Sequence, residues 1–139
     1  MLSEFFSSKI VLATAITFLI CHLVKFIYDS YKSKKLSWHS WYKTGGMPSS
    51  HSASVTALTM SVALFDSINA PLFFVSLVFS IVVIRDALGV RHTVDDLIKR
   101  VNKLVKTDKI NVIAGHTKSQ VLVGIILGLL IPILFKLLI

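Results

Sequence analysis

The sequence predicts an all-α protein: a polytopic membrane bundle of about four transmembrane helices plus one amphipathic helix, in a single domain over residues 1–139. Three observations carry this expectation. First, 54% of the 139 residues are hydrophobic and the mean hydropathy is +0.75, which a soluble domain of this size does not reach. Second, four apolar stretches approach the roughly 20 residues that a helix needs to cross a bilayer core. Third, the basic residues gather in the segments between those stretches rather than inside them.

The first span is expected over residues 10–28 and the second over 48–65. The third is expected over 71–90 and the fourth over 119–139. No small-residue cleavage site precedes the charged stretch after the first apolar run, so that run reads as a span and not as a cleaved leader. The second span is the least lipid-like. Its Ser52, Ser54, Thr56, Thr59 and Ser61 suit a helix enclosed by other helices. Between the third and fourth spans, Val94, Leu97, Ile98, Val101, Leu104 and Val105 recur at helical spacing. Asp95, Asp96, Lys99, Arg100, Lys103 and Lys106 fill the other side. This pattern predicts an amphipathic helix on the membrane surface or against the bundle.

The net charge is +8. Its placement beside apolar spans points to topology signals and anionic headgroups, and away from nucleic acid. The loop 29–47 holds Lys32, Lys34, Lys35 and Lys43. The loop 91–118 is still more basic, and the turn 66–70 has no basic residue. The positive-inside rule therefore places both basic loops in the cytoplasm. The single cysteine, Cys21, excludes a disulfide framework. No Cys/His cluster or carboxylate cage suggests a metal, and no cofactor is expected.

Four places carry candidate chemistry. In the run from Thr44 to Ala53, Gly45 and Gly46 allow close backbone approach. Pro48 suits the first turn of a helix. The amides of Ser49, Ser50 and His51 would then face an anion at a helix N-terminus, with His51 as a proton donor. Arg85 and Asp86 lie in the last third of the third span. They read as a guanidinium fork for phosphate, or as a mutual ion pair. Arg91 follows on the same helix. His116 stands ahead of the fourth span on one face with Gln120, Gly124 and Gly128. The two glycines could serve intrachain packing or a homodimer equally well. Lys25, near the end of the first span, is a snorkelling lysine or another phosphate cation. With alternating spans, Lys25, His51, Arg85 and His116 all fall at one membrane face.

The runs Gly-Gly-Met-Pro-Ser-Ser-His-Ser-Ala (45–53), Arg-Asp-Ala-Leu-Gly-Val-Arg (85–91) and Gly-His-Thr (115–117) resemble the divergent branch of the type 2 phosphatidic acid phosphatase family. That branch is related to acid phosphatases and vanadium-dependent haloperoxidases. The resemblance covers nearly the whole chain. It implies a lipid phosphatase that forms a phosphohistidine without a metal. It also implies His51 as the acid for the leaving group, Arg85 as a phosphate ligand and His116 as the nucleophile. Lys25, Ser49, Ser50 and Arg91 would bind the lipid phosphate. Two departures stand out. An insertion separates Arg85 from His116, and Gln120 occupies the place of the carboxylate that orients the nucleophile. Gln120 itself or Asp86 is the candidate to orient His116, with Asp95 and Asp96 as further sources of charge. His92 and Asp96 share the His-to-Asp spacing as a rival pair. The alternative function is a non-catalytic headgroup binder or scaffold on the same fold.

Overall fold

The computed structural model describes residues 8–36, 45–105, 110 and 115–139. Every regular element among them is helical: α1 (Lys9–Ser33), α2 (Ser50–Phe65), α3 (Pro71–Leu88), α4 (Val90–Leu104) and α5 (Lys118–Leu138). Lys43, Thr44 and Lys106 lie outside the described residues.

Local chemistry sets the helix ends. α1 closes on Lys34 in the left-handed conformation, φ 53°. Pro71 occupies the first turn of α3, where its missing N–H removes no bond. Asp66 donates its amide to the Val62 carbonyl at the end of α2. Thr117 and Gln120 form a reciprocal capping box at the start of α5. Pro132 sits inside α5 without ending it.

Three helical stretches are long and apolar enough to cross a membrane: α1, the stretch Pro71–Leu104 that holds α3 and α4, and α5. α2 has 16 residues, about 24 Å at the α-helical rise, and falls short of a bilayer core on its own. It is instead the hub, packed against α1, α3 and α5 together. The expected second span is therefore shorter than its neighbours and enclosed by them, in keeping with its small polar composition.

The packing is inverted relative to a soluble protein. Large apolar side chains such as Phe18, Leu19, Phe74, Val78, Leu122 and Leu134 are exposed. The interior holds Ala13, Thr17, Cys21, Ala53, Ala57, Val62 and Val121. Lipid tails are as apolar as leucine, so burying leucine drives nothing in a bilayer. Small residues that allow close helix approach do. Gly124 and Gly128 show the limit of this approach. A Cβ on Gly124 would lie 2.5 Å from the Ser49 carbonyl oxygen, and one on Gly128 would lie 2.6 Å from that of Ala53. The stripe that could serve a dimer or the chain itself serves the chain here.

The polar interior is hydrogen-bonded across helices. Thr59 Oγ1 donates to the Ser76 carbonyl at 3.0 Å, and Ser80 Oγ donates to the Val55 carbonyl at 2.8 Å. These bonds fix α2 against α3. At the far end, Lys136 Nζ donates to the Leu64 carbonyl at 2.7 Å, satisfying an orphan carbonyl of the last turn of α2.

α4 matches the expected amphipathic helix, starting four residues earlier than its first apolar position. None of its residues is buried. It follows α3 directly across Gly89, whose φ and ψ of −100° and −94° break the helical run.

Candidate active site

The site forms where the N-termini of α2 and α5 meet the last third of α1 and the first turn of α4. Gly45 and Gly46 approach α2 with φ of 81° and 89°, a backbone that a side chain would strain. The Met47–Pro48 peptide is cis. Pro48 stands ahead of the helix and not in its first turn, because Ser49 takes the cap. The Ser49 hydroxyl accepts from the Ser52 amide at 3.4 Å and bonds the Ser52 hydroxyl at 3.0 Å.

Ser49 is fully buried, and its amide donates to the Gln120 carbonyl at 3.0 Å. Of the three amides expected to face an anion, that of Ser49 is thus already engaged. Ser50 and His51 hold the first two helical positions, where an α-helix supplies no internal acceptor. The Ser49–Gln120 bond joins the start of α2 to that of α5. It brings His51 and His116 edge to face, with ring centroids 6.1 Å apart and planes at 84°.

The two rings differ. His51 is exposed, whereas His116 retains 4% of its surface. His116 Nδ1 is buried and has no hydrogen-bond partner among the described residues. Burial pushes the His116 pKa down to about 4. The charges of His51, Lys25 and Arg91 add to this effect, and Asp95 opposes it. His116 is therefore a neutral imidazole at neutral pH.

Lys25 is 4% exposed and lies beneath the glycine loop. Its Cε would be 3.3 Å from a Cβ on Gly46, with the Asp29 carboxylate oxygens at 3.8 and 3.9 Å from the same point. Asp29 was not singled out from the sequence, although it stands one helical turn after Lys25. The fields of Lys25 and Arg91 reach both imidazoles.

The two arginines exchange their expected prominence. Arg85 is exposed on the last turn of α3, and no described contact ties it to the histidines. The mutual Arg85–Asp86 pair does not form. Asp86 Oδ2 instead accepts from Arg91 Nε at 2.6 Å, across the break at Gly89. The Arg91 backbone lies against Gly115, directly before His116, which brings Arg91 to the site.

Neither candidate for orienting His116 does so. The Gln120 side-chain oxygen accepts from the Thr117 amide at 3.0 Å, as its position in the capping box dictates. Asp86 is held by Arg91. The loop before His116 is fixed another way. A Cβ on Gly115 would stand 2.7 Å from the Arg91 carbonyl oxygen and 2.8 Å from His92 Cα. The Gly115 amide donates to Asp95 Oδ2 at 3.0 Å. His92 pairs with Asp96 at 3.6 Å, both about half exposed, on the outer part of α4.

The profile of the divergent PAP2 family matches residues 6–131, which include every residue of the site. A relative from Bacillus subtilis (strain 168), the uncharacterized membrane protein YuiD, is 36% identical over 121 residues, covering 73% of this chain and 77% of its own. No solved structure matches. Lipid-facing helices around a small-residue core, and a match along nearly the whole length, lead to one assignment: the chain is a membrane protein of the divergent PAP2 family.

Proposed function

We propose that the chain hydrolyses a phosphomonoester on a lipid through a phosphohistidine. The observation that carries this reading is the pairing of His51 and His116 at 6.1 Å from two separate helices, with Lys25 and Arg91 acting on both rings. In the first step His116 attacks phosphorus as a neutral imidazole, and the bond to the lipid oxygen breaks. His51 in its protonated form gives its proton to that oxygen, releasing a lipid alcohol. In the second step water attacks the phosphoryl group, the nitrogen–phosphorus bond breaks and His51 takes the proton from water. Lys25, Arg91 and the amides of Ser50 and His51 stabilise the charge on the phosphoryl oxygens. Arg91 takes the role that the resemblance gives to Arg85.

The basic loops support a site at the cytoplasmic face, which suits phosphatidic acid or phosphatidylglycerophosphate. A polyprenyl phosphate or diphosphate suits the opposite face. Thiol labelling of intact cells carrying Ile68→Cys or Lys103→Cys distinguishes them. Labelling of the first alone supports the cytoplasmic site, and labelling of the second alone reverses it.

A second reading has its own observation. His116 Nδ1 lacks a carboxylate partner and Gln120 is committed to the capping box, which suits a headgroup binder without turnover. Phosphate release from phosphatidic acid by the purified protein separates the two. The enzyme reading expects turnover that falls at least about a thousandfold in His116→Ala and in His51→Ala. Equal rates in all three proteins would leave the binder.

A further inference from the structure

We infer that Asp95, carried by the inserted amphipathic helix α4, is the positioning residue that replaces the missing orienting carboxylate of His116. The inference rests on the phosphatase reading and adds a residue to it.

A histidine that attacks phosphorus needs a fixed ring and a compensating negative charge, because the imidazole becomes cationic as the nitrogen–phosphorus bond forms. Neither need is met along α5. Gln120 is turned to the Thr117 amide, and His116 Nδ1 is buried without a partner among the described residues. From α4, Asp95 serves both at one remove, by holding the backbone beside the ring and by adding a negative charge near it. Asp95 Oδ2 accepts from the amide of Gly115, the residue directly before His116, at 3.0 Å. Gly115 in turn lies so close to the Arg91 and His92 backbone that no Cβ fits. The His116 backbone is thereby locked to the first two turns of α4.

Charge follows the same route. The groups acting on His116 are His51 from α2, Lys25 from α1, and Arg91 and Asp95 from α4. Asp95 is the anion among them. Asp96, its neighbour in sequence, is committed to His92 and to Lys99 on the outer side of α4. The insertion that stretches the spacing between Arg85 and His116 thus brings a carboxylate to the nucleophile from outside its own helix.

The test compares wild type, Asp95→Asn and Asp96→Asn, purified as the full chain in detergent, with phosphatidic acid in mixed micelles. Asn keeps a carbonyl oxygen for the Gly115 amide and removes the charge. In Asp95→Asn, kcat should fall about ten- to a hundredfold with KM within about twofold, each pKa unit of charge coupling being a factor of about ten. A raised KM with kcat intact would indicate a structural role and overturn the proposal. The second readout is the His116 titration, followed by NMR of its ring. Asp95 favours the protonated ring, so its loss should move the His116 midpoint, and the acid limb of kcat, to lower pH. Asp96→Asn should leave both unchanged. An Asp95→Asn protein with wild-type kcat and an unmoved His116 midpoint would refute the assignment. An inactive wild type would defeat the phosphatase reading separately, and the ring titration would still decide whether Asp95 and His116 are coupled.

Discussion

His92 and His116 are two histidines with opposite credentials. His92 has an aspartate four residues on, and the two side chains do meet, at 3.6 Å. His116 has a glutamine at that position, turned away from it. By spacing alone the first pair is the better match to a nucleophile with its orienting acid. Yet His92 and Asp96 are about half exposed, where water screens the pair and weakens it. His116 is buried beside a second imidazole and within the fields of a buried lysine and an arginine. An i, i+4 spacing thus reports helix geometry, whereas reactivity depends on what other helices bring to the ring.

The largest effect that could break this comparison comes from truncating each ring. His116→Ala should abolish phosphate release from phosphatidic acid, whereas His92→Ala should retain rates within about threefold of wild type. The reverse result would move the nucleophile to α4.

A smaller effect sharpens the structural half of the comparison. Gly115→Ala places a Cβ 2.7 Å from the Arg91 carbonyl oxygen, a fixed backbone atom. The loop must shift, at about 1–3 kcal/mol for overpacking, and His116 shifts with it. Thermal melting in detergent should fall by several degrees, with a larger loss of turnover than of stability. Gly124→Ala meets the Ser49 carbonyl at 2.5 Å and should destabilise the chain to a similar extent. Unchanged melting in both variants would contradict the close approach of α4 and α5 to their neighbours.

Much of the architecture was legible in the sequence. The apolar stretches placed α1, α3 and α5, the serines and threonines placed α2 inside, and the alternating apolar and charged positions placed α4. These are local patterns, and local patterns set helices. The site was legible in outline for the same reason. Gly-Gly before Pro-Ser-Ser-His marks a helix N-terminus, and Gly-His-Thr marks another. What the sequence withheld depends on turns and on competition for hydrogen bonds. That Ser49 would spend its amide on Gln120 requires knowing that the two N-termini touch. That Arg91 and not Arg85 would act on the histidines requires knowing that Gly115 packs against the start of α4. That Gln120 would serve a capping box was readable from Thr117 three residues earlier, a signal overshadowed by its spacing from His116. Asp29 and Asp95 drew little weight because their partners, Gly46 and Gly115, are far away along the chain.

The most direct test of the account is to trap the phosphorylated protein. Brief incubation with phosphatidic acid labelled in its phosphate, followed by alkaline quenching, should leave an acid-labile label on the wild-type chain, and mass spectrometry should place it on His116. The label should persist in His92→Ala and accumulate in a variant slowed in the second step. A protein that turns over substrate while carrying no label on His116, or carrying it on His92, would contradict the account.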